Sequence, residues 1–291
     1  MLVSDKVSIG IMQGRLTPSR GRGIQFFPFE EWESEFKKAK ELGLNEIDFV
    51  FDLERYQENP LWHEEGISKV KKVVAETGVK IKSICVDFFM RRPPYEYLWT
   101  KNTQKLLELM FKLADVSNQI GSKNIEIPLL ENSSLSTPSR VINFANFLSY
   151  FLRSEASGNW CVALETDLPP KELCLLNYLL QWSAHRNNAL GLVYDTGNSA
   201  SLGRHPFEDI KTYGKRIVNV HIKDRVLGGG TVPPGTGAVD FDAVFDCLAR
   251  ENYKGSFILQ AARGEDGKEA ETVAGQIEFL KKYLKKYGFI S

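Results

Sequence analysis

Short apolar runs and longer amphipathic ones take turns along this chain. The short runs are VSIGIM (7–12), EIDFVF (46–51), KIKSICV (80–86), KNIEIPL (123–129), WCVALE (160–165), LGLVYD (190–195), IVNVHI (217–222) and SFILQA (256–261). Each is rich in Val, Ile, Phe or Leu, as a strand covered on both faces should be. Between them apolar residues recur at three- and four-residue spacing, the helical period. FEEWESEFKKAKELG, GISKVKKVVAETG and NTQKLLELMFKLADVSNQIG stop at Gly43, Gly78 and Gly121. TPSRVINFANFLSYFL opens with Thr137 as a cap and Pro138 at the first helical position, both favourable there. PPKELCLLNYLLQWSAH, PFEDIKTYG, DFDAVFDCLAREN and EAETVAGQIEFLKKYLKKYG complete the series.

Strict strand–helix alternation predicts an α/β fold with a parallel sheet, because each parallel crossover needs a helix. Eight such units predict one (β/α)8 TIM barrel over residues 1–291, a size that suits the fold. An open doubly wound sheet ranks lower. GIMQGRL, after the first strand, lacks the GxGxxG fingerprint of the dinucleotide-binding version. No linker or tandem repeat divides the chain.

Charge and composition narrow the function. Thirty-seven basic residues balance thirty-seven acidic ones, so the chain lacks the basic footprint of a nucleic-acid coat. The N-terminal stretch MLVSDKVSIGIMQGRL has no signal-peptide pattern, and no apolar run is long enough to span a bilayer. Cys85, Cys161, Cys174 and Cys247 form no CxxC pair, and three lie in apolar surroundings. Reduced thiols in a cytoplasmic protein are expected.

A TIM barrel carries its chemistry at the carboxyl ends of the strands. The polar residues expected there are Gln13 and Arg15, Asp52 and Glu54, Asp87, Glu131, Glu165, Asp195 with Asn198, His221 with Asp224, and Gln260 with Arg263. Glu165, Asp195 and His221 close three consecutive apolar runs. Two carboxylates and an imidazole suit a divalent ion such as Mn, Co, Mg or Zn. Taken singly, each reads as well as a polar cap on a loop; taken together in register they read as a ligand set.

LETD, YDTGN, HIKD and GTGAVDFDAVFDCLARENYKGSF together resemble the xylose-isomerase-like barrels. That superfamily includes sugar and sugar-phosphate isomerases and epimerases, hydroxypyruvate isomerases, inosose dehydratases and type IV apurinic endonucleases. The resemblance spans nearly the whole chain. It implies a divalent metal on four strand-end ligands, Glu, Asp, His and Glu. The first three fall on Glu165, Asp195 and His221, and the fourth falls on Gln260. A second departure is Asn198, where members with a D-x-x-H motif carry histidine.

These departures shape the expected chemistry. A glutamine oxygen still coordinates hard ions but accepts no proton from carbon near neutral pH. An epimerase with a base on each substrate face lacks its second one at this position. An aldose–ketose isomerase needs one base and an enediol, and Glu165 suits that role. Asp224, Glu131 or Asp87 are the other carboxylates in line for it. The expected activity is metal-dependent isomerisation or epimerisation of a small carbohydrate or sugar phosphate. A barrel that binds a sugar without turning it over is the alternative. A phosphoesterase of the apurinic-endonuclease type stands further off, since only His221 among four histidines holds a ligand position.

Gln13, Arg15, Asn198, Arg225 and Arg263 are the expected substrate contacts. GGGTVPPGTG (228–237) reads either as a mobile lid or as a backbone cradle for phosphate, and the Arg-rich first loop as an anion clamp or an exposed basic loop. His205 beside Pro206 reads as structural, His63 and His185 as surface or packing residues, and Trp62 and Trp99 as walls for a sugar ring. The aromatic tract FFMRRPPYEYLW (88–99) covers the mouth or meets a second copy in a homo-oligomer.

Overall fold

The structure is a computed structural model that describes residues 7–95, 100–154, 158–180 and 190–291. Eight parallel strands close into a barrel in the order β1, β10, β7, β6, β5, β4, β3, β2. They are β1 (Ser8–Met12), β2 (Glu46–Val50), β3 (Ser83–Cys85), β4 (Asn124–Leu129), β5 (Cys161–Thr166), β6 (Leu190–Asp195), β7 (Ile217–Ile222) and β10 (Ser256–Leu259). All eight expected strands are therefore present, and the fold class is the (β/α)8 barrel. A two-stranded antiparallel ribbon, β8 (Asp224–Arg225) with β9 (Thr231–Val232), follows β7.

The helices are α1 (Trp32–Glu41), α2 (Glu64–Thr77), α3 (Phe88–Arg91), α4 (Lys101–Ile120), α5 (Pro138–Ser154), α6 (Pro170–Leu180), α7 (Thr196–Ser201), α8 (Pro206–Tyr213), α9 (Phe241–Arg250) and α10 (Glu269–Lys286). Eight match the periodic segments. The short α3 and α7 carry no periodicity to reveal them. Thr137 does cap α5, its hydroxyl accepting the Arg140 N–H at 3.3 Å. His205 caps α8 through Nδ1, which accepts the Phe207 N–H, so its role is structural as expected. His185, Trp99 and Trp182 lie outside the described residues.

The chain falls into two compact units. One comprises Met1–Val50, Val73–Lys80 and Leu192–Ser291, the other Phe51–Lys72 and Ile81–Gly191. In the first, Phe245 stacks on Phe257 and Tyr283, joining β10 to α9 and α10. In the second, Phe51, Tyr56, Trp62 and Phe88 form one aromatic cluster, and Lys112 sits over the Trp62 ring. Trp62 is thus engaged in packing. Cys85, Cys161 and Cys247 are buried and Cys174 is exposed, with no disulfide among the described residues. No described helix is long and apolar enough to cross a membrane.

The loop after β1 is a built structure rather than a free basic arm. Glu35 of α1 is buried and accepts the N–H groups of Gly14 and Leu16 at 2.9 and 3.0 Å. Arg263 donates to the carbonyls of Ile24, Thr17 and Gly14 and lies over the Phe26 ring. Arg15 donates to the Ile24 carbonyl, and Asp266 accepts from the backbone of Ser19 and Arg20.

Burial pushes the Glu35 carboxyl above its ordinary value of 4.5, against the lowering pull of the Gly14 and Leu16 N–H groups. The folded state then holds this proton more tightly than the unfolded one. The group's stabilising contribution is full below pH 4.5 and is lost as pH rises through the folded value. Wild type is therefore expected to lose stability relative to Glu35→Gln as pH rises above about 4.5. Urea melts of both proteins across that rise check this; parallel stability curves would contradict it.

Candidate active site

Register decides which side chains share the barrel interior. In β6 and β7, Leu192 pairs with Ile217, but a bulge then shifts the register so that Val193 pairs with Asn219 and Asp195 with His221. Side chains alternate along a strand, so a one-residue shift changes which ones face the same side. Without the bulge Asp195 would stand beside Val220. With it, the carboxylate and the imidazole stand side by side. Their ligand atoms lie within 4.8 Å of each other.

Each is held in place by its own surroundings. Asp195 is buried and caps α7, its Oδ1 accepting the Asn198 N–H at 2.7 Å. Its Oδ2 is buried without a hydrogen-bond partner among the described residues, and the Lys223 ammonium lies 3.4 Å from it. His221 is fully buried and its Nε2 lies 3.3 Å from Asp48 Oδ2. That carboxylate oxygen also accepts Asn219 Nδ2 at 2.7 Å. With Nε2 oriented by Asp48, Nδ1 is the ring nitrogen that can face a cation, an arrangement common behind metal-binding histidines.

Gln260, the expected fourth ligand, is also buried. Ile258 pairs with His221, so Gln260 lies on the same face, level with Lys223. Its Oε1 accepts from Lys223 Nζ at 3.3 Å, and its Nε2 donates to Gln25 Oε1 at 2.8 Å. The carbonyl end of the amide is thus turned toward a cation. A buried carboxylate oxygen without an N–H or O–H partner, beside an oriented imidazole and an amide oxygen, is a donor set that fits a divalent ion.

The structure gives several expected site residues other work. Asp224 is completely buried, and its carboxylate accepts the N–H groups of Arg225, Gly235, Gly237 and Val239 at 2.8–3.2 Å. A carboxylate so engaged organises a loop. The same bonds occupy Gly235 and Gly237 N–H groups, so the segment 228–237 is not organised as a phosphate cradle. Arg225 donates to Asn198 Oδ1 at 2.8 Å and to the Gly229 carbonyl at 2.9 Å, tying this loop to α7. Arg15 and Arg263 are committed to the first loop's carbonyls. Gln13 is buried and accepts the Val50 N–H through Oε1, while its Nε2 has no partner among the described residues. Gln13 therefore still presents a donor suited to a substrate hydroxyl.

In the second unit, Glu165 is the penultimate residue of β5 and is 6% exposed. Glu126 is buried on β4. Asp52 is held by the Leu53 N–H and Arg91. Glu131 is exposed, with φ at +50°, and Asp87 is half-buried beside Cys85. Neither of the last two is sheltered as a base needs to be.

Sequence reasoning missed Asp48 and Lys223. Asp48 carried a signal: a charged residue inside EIDFVF, a strand buried at every position. Lys223 sits inside HIKD and was passed over between two acidic or ligating residues.

The sequence model of the xylose isomerase-like TIM barrel family matches residues 36–283. The L-ribulose-5-phosphate 3-epimerase UlaE of Salmonella heidelberg (strain SL476) is 25% identical over 272 residues, covering 90% of this chain and 93% of its own. The crystal structure of apo 3-keto-D-glucoside 4-epimerase YcjR from E. coli has a TM-score of 0.71 at 17% identity, covering 95% of this chain and 100% of that one. The structure of IOLI protein with a bound zinc atom also scores 0.71, at 15% identity, covering 96% and 98%. The two structural likenesses speak for the fold alone. The match to the family sequence model covers most of the chain, and the chain belongs to the xylose isomerase-like TIM barrel family.

Proposed function

We propose that this chain is a divalent-metal-dependent isomerase or epimerase of a small carbohydrate or sugar phosphate, working through an enediolate. The observation that carries the reading is the buried Asp195 Oδ2, which has no hydrogen-bond partner among the described residues and stands beside the oriented ring of His221. The names of relatives such as the L-ribulose-5-phosphate 3-epimerase support the substrate class.

The bound ion would polarise the substrate carbonyl and an adjacent hydroxyl, which acidifies the intervening C–H bond. Asp195 and His221 would hold that ion, with Gln260 beside them, and the family resemblance adds Glu165 as a further ligand. Asp48 keeps the imidazole of His221 in one orientation. Glu165 takes the proton from carbon and returns it, to the neighbouring carbon in an isomerisation. Gln260 cannot serve as a second base. Gln13 Nε2 supplies a donor to a substrate hydroxyl.

Incubation with Mn²⁺ and a panel of ketopentoses, ketohexoses and their phosphates in D₂O tests this. Deuterium is expected at a carbon next to the carbonyl, with product appearing only when Mn²⁺ is present. Sugar binding with no exchange on any of them would establish the alternative, a binding barrel without turnover.

A further inference from the structure

Lys223 is a tightly held cation of the first unit that the proposed chemistry does not use. Its backbone is bracketed by Thr196, whose hydroxyl accepts the Lys223 N–H at 3.0 Å and donates to the Lys223 carbonyl at 2.6 Å. Its stem lies against Gly197: a Cβ there would fall 2.9 Å from Lys223 Cγ and 3.1 Å from Cβ. Only a residue without a side chain leaves the stem that path. The ammonium head then reaches Asp195 Oδ2 at 3.4 Å and Gln260 Oε1 at 3.3 Å, and the side chain is 13% exposed. Gln25 fixes the other end of the Gln260 amide, so the carbonyl oxygen points to Lys223 for a stated reason.

These are two of the oxygens assigned to the divalent ion. Oxygen ligands stand about 2.0–2.2 Å from Mg²⁺ or Zn²⁺. An ion at that distance from Asp195 Oδ2 and Gln260 Oε1 would stand within a few ångströms of the ammonium, and two cations that close in a partly buried site repel strongly. We propose that Lys223 is a tethered competitor of the metal. Its ammonium holds Asp195 and Gln260 until a divalent ion displaces it, and this sets the site to bind the ion weakly. The glutamine makes the contest even: a carboxylate in its place would add a negative charge to share between the two cations. The inference rests on the metal reading under Proposed function.

The test is Mn²⁺ binding by calorimetry to wild type, Lys223→Met and Lys223→Gln, each first checked by a thermal melt. Both variants are expected to bind Mn²⁺ at least about tenfold more tightly than wild type, since a nearby unit charge is removed. Saturating wild type with Mn²⁺ should also raise modification of Lys223 by succinic anhydride, read by mass spectrometry, because the head group leaves its partners. Equal or weaker Mn²⁺ binding by the folded variants overturns the proposal and leaves the metal site standing. Absence of Mn²⁺ binding from all three proteins overturns the metal reading and this inference with it.

Discussion

Glu165→Gln is expected to lower turnover about a thousandfold, the middle of the range for a positioned acid–base group, while the folded protein still takes up Mn²⁺ weakly. The substitution keeps the shape and one carbonyl oxygen of the side chain, and amide oxygens coordinate hard ions. What it removes is proton affinity. Glu165 is the penultimate residue of β5 and is buried, so a proton it takes up is sheltered from solvent between removal and return. Exposed Glu131 cannot replace it, and Asp224 is tied to four backbone N–H groups. Turnover, deuterium wash-in and Mn²⁺ titration should be read on one preparation. Glu165→Asp retains a carboxylate but withdraws it by a methylene, and its loss should be smaller than that of Glu165→Gln. A Glu165→Gln enzyme with undiminished wash-in would transfer the base role to another group.

How far the sequence foretold this site follows from what each residue's signal was. The eight strands and eight of the helices were legible because burial on both faces and the helical period write themselves into the order of apolar residues. Glu165, Asp195, His221 and Gln260 stand out as candidates because they lie at the ends of apolar strands of a barrel. The pairing of Asp195 with His221 was not legible, because it depends on a bulge after Leu192, and a bulge leaves no mark in LGLVYD. Asp224 reads in the sequence as a proton carrier, and in the structure its carboxylate gathers loop N–H groups. A strand-end aspartate looks the same whether it faces a substrate or collects N–H groups from a loop eleven to fifteen residues on. Arg15 and Arg263 misled similarly: arginine near a mouth signals an anion, yet here the guanidinium groups satisfy carbonyls of the first loop. The role of Lys223 needed distances, since only they reveal that it shares oxygens with the expected metal.

Asp224→Ala is expected to cost about 3 kcal/mol of stability and to release the loop after β7. Its carboxylate is fully buried and accepts the N–H groups of Arg225, Gly235, Gly237 and Val239. Each donor left unsatisfied costs about 1–3 kcal/mol when buried. These four are only partly buried, so water recovers part of that sum. For a chain of this size the loss corresponds to a fall in melting temperature of roughly 5 °C. The loop also reaches the site through Arg225, which holds Asn198, whose backbone N–H in turn bonds Asp195 Oδ1. Loosening it should therefore reduce turnover as well as stability. Gly237→Ala offers an independent route to the same state. Its Cβ would land on the Asp224 carboxylate and 2.6 Å from the Arg225 carbonyl oxygen, so the loop must open to admit it. Both variants should become sensitive to proteolysis between residues 226 and 239, and Asp224→Asn, which keeps one acceptor oxygen, should fall between them and wild type. A folded, protease-resistant Asp224→Ala with unchanged melting temperature but lost turnover would reverse the assignment and return Asp224 to the proton carriers.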